Sequence, residues 1–317
     1  MLALPYLDLA AGDKQVALAV YCAIRKNYRH SRLTGYDDSW SYTSLNKPQI
    51  AFIGAGNMAS SIVGGLIESG HPADSIRSSD PFPASLEKLR AIAPVATFDK
   101  NADAVAGADV VILAVKPQVM AEVCQSIAGA VAETKALVIS IAAGITIASM
   151  EDRLGAGTSI VRCMPNTPAL LGAGATGLYA NAAVSGSQRT YAEQILSAVG
   201  IIDWVPTEQA LDAVTALSGS GPAYFFLFME AMIDAGCKQG LDRETAIKLA
   251  TQTGLGAARM ALESDVDLAE LRRRVTSPGG TTQAAIESFE QAGLREVVDK
   301  AMQAASDRAE EMAREMG

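Results

Sequence analysis

Two glycine-rich segments, more than half the chain apart, carry the residue types that could do chemistry. The first, Gly54-Ala55-Gly56-Asn57-Met58-Ala59, follows the apolar run Gln49 to Ile53 and opens a helical pattern. Gly54 permits a tight turn, Gly56 lets a pyrophosphate approach the backbone, and Ala59 lets the helix pack closely while its free N-terminal amides face the anion. Such a fingerprint is weak alone; the strand before it, and the helix and second strand after it, give it weight. The second segment, Ser277-Pro278-Gly279-Gly280-Thr281-Thr282, precedes an apolar helix, as does a related break from Leu217 to Tyr224. Glycines beside hydroxyl residues at a helix start expose several amides in one direction, which suits a carboxylate; ordinary Ser or Thr capping accounts equally well for either break taken singly.

Further candidates stand at the ends of other short apolar runs. The run after the fingerprint ends at Ser78-Ser79-Asp80. Asp80 can accept hydrogen bonds from ribose hydroxyls and repel a 2′-phosphate, Arg77, Ser78 and Ser79 can bind that phosphate, and Asp80 can equally cap the next helix. Val110 to Val115 stops at Lys116-Pro117-Gln118, and Leu137 to Ile141 at Ala142-Ala143-Gly144. Small residues at such ends permit close approach of a cofactor, and Lys116 is either a donor to its oxygens or a solvated charge. In Arg162-Cys163-Met164-Pro165-Asn166-Thr167-Pro168 two prolines stiffen the backbone around Asn166, which either hydrogen-bonds a carboxamide such as that of nicotinamide or caps locally.

The elements that must position these residues are legible as alternation. Short β-branched runs at Gln49 to Ile53, Ser75 to Ser78, Val110 to Ala114, Leu137 to Ile141 and Ser159 to Cys163 are separated by helix-length segments such as Asn57 to Ser69 and Gln118 to Ala130. Repeated βαβ units predict an α/β, doubly wound, Rossmann-like sheet covered on both faces, over residues 47–207. After about Thr207 the apolar residues recur at helical spacing through Ala210 to Leu217, Ala223 to Ala235, Arg243 to Leu262 and Leu294 to Met316, predicting an all-α domain over 208–317. Ala223 to Ile233 leaves almost no polar face, which places it inside a bundle, in a dimer interface or in a monomer core. Residues 1–46, crowded with Tyr, Ser, Asn and Asp from Tyr28 to Asn46, read as a loosely attached extension.

Composition narrows the function classes. A chain of 317 residues with 49% hydrophobic and 5% aromatic residues suits packed α/β and helical layers in two domains. A net charge of −9 without a basic stripe argues against nucleic acid, and Arg272, Arg273 and Arg274 beside Glu270 read as a salt-bridged helix face. Cys22, Cys124, Cys163 and Cys237 lack paired or zinc-site spacing with His30 and His71, which fits buried free thiols and no metal. No apolar run reaches the ~18 to 20 residues a membrane span needs, and no secretion signal is evident, so the cytoplasm is the expected compartment.

From Pro48 to the C-terminus these motifs, in this order, resemble pyrroline-5-carboxylate reductases, the bacterial members in particular: the Gly54 fingerprint, Ala114-Val115-Lys116-Pro117, Ala142-Ala143-Gly144, Met164 to Pro168, Ser218 to Tyr224 and Ser277 to Thr282. The resemblance implies reduction of a cyclic imine to L-proline by hydride from NADPH, with NADH left open by Asp80, and a helical domain that interlocks with a second subunit near each active site. It implies cofactor contacts at Gly54, Ala55, Gly56, Asn57, Met58, Ala59, Ser79, Asp80, Asn101, Ala114, Val115, Lys116 and Pro117, with nicotinamide near Ala142, Ala143, Gly144 and Asn166. Gly279, Gly280 and Thr281 would meet the substrate carboxylate through their amides and Thr282 the ring nitrogen, with Glu208 and Asp265 near the substrate. Residues 1–46 match nothing in that family. A hydroxyacid dehydrogenase would need a Lys or His near its alcohol, and the helical domain's Lys238, Lys248 and Lys300 lie in no glycine-rich loop. A nicotinamide-binding sensor without catalysis would not need the second anion pocket.

Overall fold

The structure is a computed structural model and describes residues 47–316; the proposed extension and Cys22 and His30 lie outside the described residues. Eight strands form one sheet in the order β3-β2-β1-β4-β5-β6-β7-β8. They are β1 (Ile50–Ile53), β2 (Ile76–Ser79), β3 (Ala96–Phe98), β4 (Val110–Leu113), β5 (Leu137–Ser140), β6 (Ile160–Met164), β7 (Gly174–Ala180) and β8 (Gly200–Trp204). The first six pair in parallel, whereas β7 runs antiparallel to β6 and β8 parallel to β7. The five strands expected from the sequence all lie in the parallel part; β3, β7 and β8 are additional to them.

Period-two alternation explains how a four-residue strand supports two cores. In β1, Ile50 and Phe52 enter one cluster with Ile62, Val63 and Leu66 of α1 (Asn57–Glu68), Leu86 and Leu89 of α2 (Pro83–Ile92) and Ile195 and Leu196 of α6 (Gly186–Ser197). Ala51 and Ile53 enter the opposite cluster with Ala104 and Val105 of α3 (Asn101–Val105), Val123 and Ile127 of α4 (Met120–Thr134) and Met150 and Leu154 of α5 (Ile147–Leu154). Strands buried on both faces are what a doubly wound sheet requires.

From Ala210 onward the described chain is helical: α7 (Ala210–Val214), a π-helical turn (Thr215–Gly219), α8 (Gly221–Lys238), α9 (Arg243–Glu263), α10 (Leu268–Arg274), α11 (Thr281–Gln291) and α12 (Leu294–Met316). The arginine cluster is ion-paired as its spacing suggests, Arg273 and Arg274 to Glu270 and Arg272 to Glu290. No helix among the described residues is long and apolar enough to cross a membrane.

Candidate active site

The carboxyl ends of β1, β2, β4, β5 and β6 share one edge of the sheet, where open α/β folds bind ligands. Gly54 turns the chain there at φ +98°, and a Cβ on it would lie 2.5 Å from the Ala114 carbonyl oxygen. The amide of Gly54 donates to the Ser79 carbonyl (2.8 Å), so the turn is sewn to the end of β2. Gly56 differs: it is exposed, and a Cβ on it would meet no protein atom within 4 Å. That open space is compatible with close approach of a pyrophosphate to the backbone. No side chain caps the N-terminus of α1, so the first-turn amides stay available to an anion. Ala59 is fully buried, while Asn57 is exposed and Met58 half-buried.

Asp80 builds the turn. Its carboxylate accepts from the Ala55 amide (2.7 Å) and, through its other oxygen, from the Phe82 amide (2.8 Å). Of the alternatives for the neighbouring residues, Arg77 donates to the Ala106 carbonyl and Ser78 is fully buried, which takes both away from the adenosine end. Ser79 donates to Asn101 (2.8 Å), whose amide donates to Ser126 (3.0 Å), a polar chain that brings Asn101 to the same end of the sheet. Ala114, Val115 and Pro117 are half-buried at the next strand end, and Lys116 is exposed.

Asn166 has a committed side chain. Its carbonyl accepts from the Ala175 amide (2.9 Å) and its amide donates to the Ser218 carbonyl (3.0 Å), so it ties the turn after β6 to the helical region. Both interactions are internal and brace the turn locally.

A cavity of about 180 Å³ opens beside these strand ends, lined by Ala142, Ala143 and Gly144, by Arg162 and Met164 of β6, by Asp212 and Ser220, and by Arg308 and Met312 of α12. Gly144 has φ +73°, and a Cβ there would meet Met316 Cε at 2.8 Å and Met312 Cβ at 3.1 Å, so the end of α12 roofs this turn. Glu208 points inward: its Oε1 accepts from Arg162 Nη1 (2.6 Å) and from the Ile147 amide (2.8 Å). Glu208 thus forms an ion pair with a buried arginine through one of its two oxygens. The nearby Asp212 carboxyl is held above the usual range by burial first, with Glu310 and Glu208 adding and Arg162 opposing. Cys163, buried below, donates to the Ser140 carbonyl (3.3 Å), and burial pushes its thiol well up.

The second glycine segment stands apart. Ser277–Thr282 lines no part of this cavity; Gly279, Thr281 and Thr282 are exposed at the start of α11, and Asp265 is exposed between α9 and α10. Gly280 is corrected as an anion donor, because its amide closes a turn onto the Ser277 carbonyl (3.0 Å). The Gly279 amide donates to Gln283 Oε1 (2.7 Å), and no side chain caps α11, leaving the Thr281 and Thr282 amides without an intrahelical partner.

Sequence reasoning gave no role to Arg162 or Asp212. The signal was present for the first: an arginine within the strand Ile160-Val161-Arg162-Cys163-Met164 implies a buried charge in need of a partner.

Comparison with known proteins agrees with this architecture. Residues 208–312 match the family model described as pyrroline-5-carboxylate reductase dimerisation, and residues 49–144 match NADP oxidoreductase, coenzyme F420-dependent. A pyrroline-5-carboxylate reductase of Pseudomonas aeruginosa is 57% identical over 86% of this chain and all of that protein, and one of Vibrio alginolyticus 46% identical over 84% of this chain and 98% of that one. The solved structure of the Coxiella burnetii enzyme superposes with a TM-score of 0.82 at 47% identity, covering 84% of this chain and 99% of that one. The Plasmodium falciparum pyrroline carboxylate reductase, solved with NADP bound, has a TM-score of 0.74 at 30% identity over 85% of this chain and 99% of that one. With the glycine turn, the helical region and relatives matched nearly end to end, the chain belongs to the pyrroline-5-carboxylate reductase family.

Proposed function

We propose that this protein reduces 1-pyrroline-5-carboxylate to L-proline, the last step of proline biosynthesis, with NADPH as the hydride source. The observation that carries the reading is the turn after β1: Gly54, at φ +98° against the Ala114 carbonyl, delivers an open Gly56 and an uncapped helix N-terminus to the carboxyl edge of the sheet. When bound, the reduced nicotinamide supplies the hydride. The residues that would hold it are the α1 amides after Gly56, the Ala114 to Pro117 turn, and the small residues Ala142 to Gly144.

The remaining work falls to the chain's own groups. The first-turn amides of α11, with Gly279 once Gln283 releases it, hold the substrate carboxylate. The Thr282 hydroxyl hydrogen-bonds the ring nitrogen and orients it; it is too weak an acid to be the final proton source, which is water or an already protonated imine. Because Ser277–Thr282 lies outside its own chain's cavity, we place it in the site of a second copy, so that the protein works as a homodimer or a multiple of one. At the adenosine end, Asp80 is occupied by two backbone amides, while Ser79, Asn101 and Ser126 form a polar chain; this supports NADPH over NADH. Buried free Cys124 and Cys163 support a reducing compartment, the cytoplasm.

The test is to mix purified protein with pyrroline-5-carboxylate and either NADPH or NADH and follow the absorbance of the reduced cofactor. NADPH should be oxidised, and faster than NADH. Thr282→Ala should lower turnover about 10- to 100-fold, the worth of one well-placed hydrogen bond to a charged group, with little change in cofactor affinity. An unaltered rate removes Thr282 from the mechanism, and no oxidation by the wild-type protein removes the function.

A further inference from the structure

Arg162 lines the cavity and pairs with Glu208 behind it, and this ion pair has no part in the chemistry above. We infer that this pair is a positioning device for the Ala142–Gly144 turn, clamping it from both ends so that the nicotinamide ring is presented at a fixed height and angle.

The turn hangs between the end of β5 and the start of α5. On its upstream side β6 pairs with β5 in the register Ser140 to Arg162, so Arg162 stands beside the residue two positions before Ala142. On its downstream side Glu208 accepts the Ile147 amide, the first of α5, while Thr146 caps the same helix through the Ser149 amide (3.2 Å). A single oxygen, Glu208 Oε1, serves both Arg162 and Ile147. The start of α5 and the strand that pairs with the end of β5 are thereby joined through one atom. Arg162 is 9% exposed and Glu208 22% exposed at the side chain, so solvent cannot readily take over for either partner. The turn needs this support. Gly144 lies at positive φ, and the contacts that would otherwise fix it come from Met312 and Met316, flexible side chains near the end of α12. Glu208 also stands at the entry to α7, so the clamp couples the turn to the helical region.

This inference rests on the reductase reading, and the experiment separates the two. Wild type, Glu208→Gln and Glu208→Ala are compared for turnover with NADPH and pyrroline-5-carboxylate, for the deuterium isotope effect with NADPH labelled at the transferred hydride, and for binding of adenosine 2′,5′-bisphosphate, which reports the adenosine end alone. Glutamine keeps one acceptor for Ile147 and loses the charge facing Arg162, so it isolates the clamp without emptying the site. The expected result for Glu208→Gln is a kcat at least about tenfold lower, a larger isotope effect and unchanged bisphosphate affinity, because a misplacement of about an ångström at the reacting centre costs up to ~100-fold. Alanine should be worse than glutamine. Three outcomes overturn the inference: kcat of Glu208→Gln within about twofold of wild type, an equal loss of bisphosphate affinity, or failure of that variant to fold, the last two showing a general structural role. If wild type itself does not oxidise NADPH with this substrate, the functional reading fails first, before the variants are compared.

Discussion

The sheet region and the helical region solve the burial problem differently. In the first, every residue of β1, β4 and β5 is buried, and the two faces feed separate, well-populated clusters. In the second, the buried cluster comprises Ile233, Ala246 and Ala250, while Phe225, Phe226, Leu227 and Leu249 are 71, 61, 66 and 55% exposed. Each such side chain forgoes roughly half or more of the about 1.5–3 kcal/mol that full burial supplies, and contiguous exposure of this kind marks an association surface. One half of the molecule completes its core alone; the other is built to be covered. The match of residues 208–312 to a dimerisation family falls on that second half.

Three substitutions probe this contrast, in descending order of expected effect. Phe226→Glu puts a charge on the uncovered face of α8. Sedimentation velocity should show association weakened about 100-fold or more and turnover falling with it, while NADPH binding to the sheet region persists. Retained assembly with full turnover would mean that this face is not the one covered. Next, Gly54→Ala and Gly56→Ala separate the protein's demands from the ligand's. The first places a methyl group 2.5 Å from the Ala114 carbonyl oxygen at positive φ and should cost about 2–4 kcal/mol in a denaturant melt. The second should cost about 1 kcal/mol or less, since its Cβ meets nothing, yet weaken NADPH binding about tenfold or more. Equal destabilisation by both would erase the distinction between them. The smallest effect concerns the surface of the helical region. Hydrogen bonds from Arg273 and then Arg274 hold the half-buried Glu270 carboxyl at about 2, below its ordinary value of 4.5. The folded state therefore binds this proton less readily than the unfolded one, so the contribution is fully present above about pH 4.5 and is lost as pH falls toward 2. In an NMR titration Glu270 should titrate below the exposed glutamates; an ordinary midpoint would show that the helix-face pairs do not persist in solution.

What the sequence made legible follows the same division. The strands with uninterrupted β-branched residues were readable from periodicity, and α12 was bounded as observed because it is strongly amphipathic. Strands β7 and β8 were not, because Gly174, Gly177 and Gly200 lower the strand signal for reasons that only packing shows. A Cβ at Gly177 would meet Val214 at 2.7 Å, and one at Gly200 the Gly174 carbonyl at 2.0 Å. Strand β3, three residues with an exposed start, is too short to carry a pattern. At the site, the glycine fingerprint was legible because its spacing is local. The internal partners of Glu208 and Asn166 were not, because they are remote in sequence: Arg162 lies 46 residues from Glu208, and Ser218 lies 52 from Asn166. The order of motifs identifies a chemistry, and only coordinates show which groups are already committed to holding the fold.

The central claim, that each site combines the glycine turn of one chain with the threonine turn of another, is tested most directly by hybrid dimers. Gly56→Ala and Thr282→Ala chains are co-expressed with different affinity tags, and the doubly tagged species is assayed for pyrroline-5-carboxylate reduction at NADPH well below saturation, where each parent variant retains about a tenth of wild-type activity or less. A shared site gives each hybrid one intact centre of two, and activity should return to about half that of wild type. Activity no higher than that of the parent variants would mean that both segments act within one chain, and would contradict the account.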